Sequence, residues 1–240
     1  GYPAVAIGAP LVLSGTVTDG IISTLNRTIS IASSAVPEES DQSDGGDGNQ
    51  FNFQFPGQEQ QQQQSSGSIY VNVIQTDAAI NHGNSGGALV DANGEIIGVN
   101  VAIASAGNSE EGGSIGVGFA IPIDYAKRVA QELIDNGVAT HGLLGATVTP
   151  QGASGSNQQN ASAFSVGARI VEISPDSAAD KAGLKSGDVI TGVNGRAVQD
   201  SQTVTAAIRE IPAGGEAKIS YLRNGQEHTA TATVGTLSNN

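Results

Sequence analysis

The 240-residue sequence has no cysteine, no methionine and no tryptophan, and only five phenylalanines and four tyrosines. Without cysteine there is no disulfide and no thiolate metal site, and the redox compartment stays open. With so few aromatics, any core must be assembled from Val, Ile, Leu and Ala. Cations are scarce too: ten Lys and Arg face 23 Asp and Glu, a formal net charge of −13. None of those cations lies between Arg27 and Lys127. This argues against nucleic acid as a partner, because its phosphates are held by clustered Lys and Arg. Solubility accounts for the acidity more simply. No apolar run approaches the roughly 18–20 residues of a membrane-spanning helix. No His/Cys ligand cluster and no carboxylate pair stands out, so neither a metal nor a cofactor is expected. The chain opens at Gly1 without a signal-peptide pattern, which reads as an internal start.

What the sequence does hold is short β-branched runs between Gly and Pro. Ala4–Ile7, Thr16–Ser23, Ile69–Ile74, Ala88–Asp91, Glu95–Ile103 and Val117–Ile123 read as strands. Ala88–Asp91 and Glu95–Ile103 pair as a hairpin across Ala92-Asn93-Gly94. Residues 33–67 are rich in Ser, Asp, Glu, Gly and Gln, which reads as a disordered insertion, with Phe51, Phe53 and Phe55 alternating inside it. Asp124 can cap a helix that carries Val129, Ala130, Leu133 and Ile134 on one face, with Gly137 ending it. From His141 onward the pattern becomes mixed α and β. Strands are expected from Leu143 and over Ala168–Ile173, a short helix within Pro175–Leu184, and a helix over Ser201–Ile211 with Val204, Ala207, Ile208 and Ile211 at helical spacing. A last hairpin, Lys218–Arg223 with His228–Val234, turns over Asn224-Gly225.

The most informative stretch is Gln75-Thr76-Asp77-Ala78-Ala79-Ile80-Asn81-His82-Gly83-Asn84-Ser85-Gly86-Gly87-Ala88-Leu89. A serine among glycines sits where something must approach the backbone closely. A nucleophilic serine needs an accessible Oγ and two N–H groups aimed at the oxyanion that forms beside it. The N–H groups of Gly83 and Ser85 are placed for that. Gly, Asn and Ser also dominate ordinary turns, so composition alone leaves both readings open. The fifteen residues, however, closely resemble the active-serine segment of HtrA/DegP-type serine proteases, which have a chymotrypsin-like fold. Val5-Ala6-Ile7-Gly8-Ala9-Pro10, Thr16–Ser23, Gly94–Asn100 and Gly116–Pro122 continue the resemblance, although Ala9 stands where that family more often has Asn.

The resemblance implies a mainly β chain: residues 1–138 as the second β-barrel of a chymotrypsin-like protease, and residues 141–236 as a PDZ domain of small α+β type. It implies Ser85 as nucleophile and the Gly83 and Ser85 N–H groups as oxyanion hole. By motif position Ile80, Ile103 and Val117 line an apolar specificity pocket, which favours cleavage after Val or Ala. In the PDZ domain, Leu143, Leu144, Gly145 and Ala146 match the loop that receives a peptide C-terminus. The peptide would add beside Val148, with its last side chain near Val204 and Ile208; helix phase alone leaves those two equally readable as core.

The base and its orienting carboxylate are missing from this pattern. Only His82, His141 and His228 are present, none in the Thr-Ala-x-His context of the family. His82 reads as a loop residue flanking the substrate, and Asp77 belongs to the segment before the serine. A two-barrel protease of roughly 200 residues plus a PDZ domain of roughly 90 exceeds this chain. The first barrel, with the triad His and Asp, is therefore expected to be absent, leaving this piece inactive alone. The resemblance also implies an extracytoplasmic protein of the cell envelope, anchored by an N-terminal segment or secreted, and a trimer at full length. Its partners would be unfolded proteins and hydrophobic C-terminal peptides. The competing reading is a non-catalytic PDZ adaptor.

Overall fold

The computed structural model describes residues 1–9, 15–32, 53–54, 68–81, 83–103, 116–152 and 165–236. It divides into two compact units, residues 1–128 and 129–240. The division falls inside a helix, ten residues before the boundary at 138 expected from sequence.

The first unit is built from β1 (Pro3–Gly8), β2 (Thr16–Ala32), β3 (Phe53–Gln54), β4 (Ser68–Thr76), β5 (Ala88–Asp91), β6 (Ile96–Ile103) and β7 (Gly118–Pro122). Hydrogen bonding runs β1-β5-β6-β7-β4-β2, and β2 pairs back onto β1, so six antiparallel strands close into a barrel. Closure removes the free sheet edges. In β1 the pleat turns Ala4 and Ala6 inward, each 1% exposed, while Pro3 and Ile7 face out. The narrow interior takes these small residues beside Ile22, Ile74, Ala78, Ile80, Leu89 and Ala120. That is the alternation of small and large side chains a tight barrel needs.

β2 runs on to Ala32, well past the end expected at Ser23. Register shifts on either side of Thr24 bend it, as bulges do, and it continues beside β4. A second apolar cluster forms there from Ile29, Val73 and Phe119, with Ile31, Val71, Val101 and Val117 against it. Within the expected disordered insertion, Phe53 and Gln54 are a short strand opposite Ile31 and Ser30. Phe51, Phe55 and the rest of that insertion lie outside the described residues.

Helix α1 (Ile123–Asn136) follows. It begins at Ile123, so Asp124 lies in its first turn rather than at the cap, where its charge still suits the helix dipole. Gly137, at φ +71°, ends it with an N–H donated to Leu133 O at 3.0 Å. On the apolar face of α1 read from the sequence, Val129 is half-buried, while Leu133 is 49% and Ile134 78% exposed.

The second unit contains β8 (Gly142–Leu143), β9 (Ala146–Gly152), β10 (Ser165–Ile173), α2 (Ala178–Lys181), β11 (Val189–Val193), β12 (Arg196–Ala197), α3 (Ser201–Arg209), β13 (Glu216–Arg223), β14 (Gln226–Thr233) and β15 (Gly235–Thr236). Its main sheet runs β14-β13-β11-β10-β9, with β12 beside β11 and a separate β8–β15 pair. Local signals set the ends of both helices. Ser177 Oγ accepts from Asp180 N–H, and Asp200 Oδ1 accepts from Thr203 N–H at 2.7 Å, the side-chain caps that satisfy orphan N–H groups. Asn224 and Gly225, at φ +53° and +78°, make the tight turn of the β13–β14 hairpin, where both central residues must be left-handed.

Just before β11, Asp188 is 2% exposed and accepts two bonds from the Arg223 guanidinium, at 2.8 and 2.7 Å, and one from Lys185 N–H at 2.7 Å. Burial alone would raise its carboxyl. The hydrogen bonds from Arg223 and Lys185, with the charges of Arg223 and His228, bring it below the ordinary carboxylate value.

Candidate active site

The serine loop joins β4 to β5 at one rim of the barrel. Its approach is fixed against β2. Thr76 Oγ donates to Ile21 O at 2.8 Å and accepts from Ala78 N–H at 3.1 Å, while Thr18 Oγ donates to Ala79 O at 2.8 Å. Asp77 accepts the Ile21 N–H at 2.6 Å, so its carboxylate is engaged with the main chain. Gly20 is glycine because a Cβ there would lie 2.3 Å from Ala78 N.

Beyond Ile80 the chain turns tightly. Gly83 has φ +100° and Gly86 φ +85°, conformations that favour residues without Cβ. Ser85 is exposed between them, and its Oγ donates to Val101 O at 3.2 Å. The loop's N–H groups divide into two sets. Asn84 N–H goes to Asn81 O, Gly86 N–H to Asn100 O and Gly87 N–H to Asn84 O, at 3.0, 2.7 and 3.0 Å. The N–H groups of Gly83 and Ser85 make no hydrogen bond among the described residues. A turn fastened at its other donors, with two alternate donors unspent, can receive an acceptor that carries developing negative charge.

Two buried asparagines hold the loop, and both escaped the reading of the sequence. Asn84, 1% exposed, directs Nδ2 toward Ala79 O at 3.5 Å. Asn100, fully buried, donates Nδ2 to Ile7 O and Ala88 O at 3.3 and 3.1 Å. The signal for Asn100 was there: an asparagine inside the apolar run Ile96–Ile103 is disfavoured in a strand interior unless it has partners.

Of the three expected pocket residues, Ile80 and Val117 belong to different apolar clusters. Ile80 is fully buried in the barrel cluster and lies against Gly118, where a Cβ would come within 2.7 Å of its Cδ1. Ile103 ends β6 with its backbone opposite Gly118. Val117 turns the other way and packs with Phe119 in the second cluster, because residues on either side of Gly118 share the opposite face. Gly118, unnamed from the sequence, takes the place beside Ile80.

No described histidine belongs to the barrel. His141 Nδ1 is 3.3 Å from Arg209 O, and the His228 ring stacks on Tyr221 with centroids 5.4 Å apart; both belong to the second unit. His82 lies outside the described residues.

In the second unit, the loop from β8 to β9 is tied down by its carbonyls. Leu144 O accepts from Ala179 N–H at 2.8 Å and Gly145 O from Ser174 N–H at 2.9 Å, while the Leu144 and Gly145 N–H groups make no hydrogen bond among the described residues. Gly145 has φ +74°, and a Cβ there would meet Ser177 Cβ at 2.4 Å. Leu143 is 43% exposed, and Ala146 opens β9, the outer strand of the main sheet. Val204 and Ile208, 2% and 4% exposed, sit in the core with Leu144 and Ile170. Of the two readings left open by helix phase, the core is where they lie.

A closed antiparallel barrel that presents a serine among glycines at its rim fits one barrel of a trypsin-like protease domain. Residues 10–130 match the family model for trypsin and residues 142–234 that for the PDZ domain; the chain belongs to the trypsin family and carries a PDZ domain behind its trypsin-like part. It is 39% identical over 239 residues to the serine protease PepD of Mycobacterium tuberculosis, covering 98% of this chain and 43% of that protein. To the periplasmic pH-dependent serine endoprotease DegQ of Escherichia coli it is 37% identical over 237 residues, 97% of this chain and 42% of the relative. Among solved structures, the HtrA-type protease AlgW with a tripeptide aligns at a TM-score of 0.53 and 32% identity, over 99% of this chain and 65% of the other. The chain thus spans about two fifths of the length of these curated relatives.

Proposed function

We propose that Ser85 is the nucleophile of an HtrA-type serine endopeptidase and that the Gly83 and Ser85 N–H groups form its oxyanion hole. The observation that carries this reading is the turn over residues 83–87, in which the Gly83 and Ser85 N–H groups beside an exposed hydroxyl make no hydrogen bond among the described residues while those of Asn84, Gly86 and Gly87 are engaged. Ser85 Oγ would attack the scissile carbonyl carbon while a base takes its proton. The oxygen of the tetrahedral intermediate would gain charge against the two N–H groups, and water would later release the acyl group. The base and its orienting carboxylate are assigned to a first barrel outside these 240 residues. The parts of a triad act as a unit, so the chain alone should be nearly inert.

Ile80, with Ile103 and Gly118, would bound a small apolar pocket suited to Val or Ala before the cut; Val117 contributes only through the neighbouring cluster. The second unit would receive hydrophobic C-termini on the free N–H groups of Leu144 and Gly145, with the peptide beside Val148 on the outer strand β9. Val204 and Ile208 would form the floor of that site from within the core. Substrates are unfolded proteins, the location is the cell envelope, where relatives are named periplasmic, and the full-length protein is a trimer.

A second reading is a PDZ adaptor without catalysis, which rests on the match of residues 142–234 to the PDZ family model. Cleavage of unfolded casein separates the two. The natural full-length product should cleave and its Ser85→Ala variant should not. An inert full-length product that still binds a hydrophobic C-terminal peptide would establish the adaptor.

A further inference from the structure

We infer that Asn100 is a positioning residue for Ser85, a reading that rests on Ser85 being the nucleophile. Asn100 lies in β6 with no exposed surface, in a run otherwise of Ile, Val, Ala and Gly. Burying a primary amide costs free energy unless hydrogen bonds replace its water. Here all but one go to the segment that presents the serine, and the remaining one goes to β1. Its N–H donates to Gly87 O at 2.8 Å and its carbonyl accepts the Gly86 N–H at 2.7 Å. Its Nδ2 donates to Ala88 O at 3.1 Å and to Ile7 O at 3.3 Å. The three residues directly after Ser85 are therefore held by one asparagine, and the next residue, Val101, accepts from Ser85 Oγ.

The main-chain bonds could be made by any residue at this position; the side-chain bonds could not. β5 lies between β6 and β1 in the barrel, so Nδ2 reaches past its neighbour to bind a carbonyl of each. Two acceptors need two N–H donors on one short planar group, which is the asparagine amide. Leucine matches its size without donors, and glutamine is a methylene too long. Gly87 completes the arrangement. A Cβ there would lie 2.0 Å from Ile7 O, so the missing side chain lets that carbonyl approach the amide. The amide Oδ1 is buried and has no partner among the described residues, so Asn100 acts here through its donors.

Asn100 thus fixes Gly86, Gly87 and Ala88 against two strands, and with them the direction of the Ser85 N–H. Displacement of a reacting group by about 1 Å is enough to cost on the order of 100-fold in rate. A residue that merely stabilised the barrel would lower its melting point without setting the turnover of molecules that remain folded.

The test uses the natural full-length protein, with its Ser85→Ala, Asn100→Ala and Asn100→Asp variants. kcat and KM are measured on a peptide with Val before the cut, from about pH 5 to 8. Asn100→Ala should lower kcat about 10–100-fold with KM within about twofold. Asn100→Asp should be equally impaired at neutral pH, where a carboxylate faces two carbonyl oxygens. It should recover relative to the parent as pH falls, because a protonated carboxyl regains one donor. If Asn100→Ala does not fold, Asn100→Asp across this pH range carries the test alone. Folded variants with kcat within about threefold of the parent, or an Asn100→Asp variant with no pH-dependent recovery, would overturn the inference. A parent that is itself inert, and unchanged by Ser85→Ala, would overturn the assignment of Ser85 and this inference with it.

Discussion

Two adjacent glycines follow Ser85, and substituting each with alanine should destabilise the barrel for different reasons and by different amounts. Gly86 has φ +85° and nothing within 4 Å of a built Cβ. Gly86→Ala therefore meets only backbone strain, about 1–2 kcal/mol for a left-handed residue with a side chain. At Gly87 a built Cβ lies 2.0 Å from Ile7 O and 3.0 Å from Asn84 O, against roughly 3.5 Å for an unstrained contact. Both obstacles are main chain, so no rotamer change relieves them, and β1 must move on the order of 1.5 Å from the serine loop. Overpacking of this kind costs about 1–3 kcal/mol. The shift also breaks the Asn100 Nδ2 bond to Ile7 O, and a buried unpaired donor adds about 1–3 kcal/mol. Gly87→Ala should thus cost about 2–6 kcal/mol, clearly more than Gly86→Ala. Urea titration of the 240-residue chain, read by amide hydrogen exchange in β1, β5 and β6, measures both. Equal losses, or a Gly87→Ala chain as stable as the parent, would refute the close approach of Ile7 to Gly87 and the clamp built on it.

Other consequences follow from the same geometry. Leu89→Ala removes a fully buried side chain from the barrel and should cost about 2–5 kcal/mol by the same titration. The Asp188 carboxyl is held below its ordinary value, so its contribution is present above the unfolded value of about 3.9 and is lost as pH falls through the lower folded value. Asp188→Asn should weaken the second unit at neutral pH and flatten its loss of stability below about pH 4; an unchanged acid slope would contradict this. Substitution of Gly118 by Val should overpack the barrel, because a Cβ there already lies 2.7 Å from Ile80 Cδ1 and 3.2 Å from its Cβ, and should cost about 1–3 kcal/mol by the same titration. Preferential cleavage after Lys or Arg in the full-length protease would contradict an apolar pocket.

Much of this was legible in the sequence because it is local. The serine loop, the Asn224-Gly225 hairpin, the Gly137 stop and the strand spacing depend on residues close in the chain, where turn chemistry and periodicity act directly. What escaped depends on partners far away. Asn100 meets Ile7 across 93 positions and Asp188 meets Arg223 across 35, so no window of sequence holds either pair. The extension of β2 was hidden because its bulges break the alternation by which a strand is recognised. Val117 was misplaced by one step of the pleat, since a strand's phase is set by its pairing rather than its composition. Val204 and Ile208 show the limit of helix periodicity, which finds the apolar face but not whether core or ligand covers it.

The central claim is that Ser85 is an activated nucleophile. Fluorophosphonate labelling of the natural full-length protein, followed by mass mapping of the modified peptide, tests it most directly. Stoichiometric phosphonylation confined to Ser85, absent from Ser85→Ala and from the 240-residue chain alone, is the predicted result. An unlabelled Ser85 in a full-length protein that is folded and cleaves protein would place the chemistry elsewhere and contradict the account.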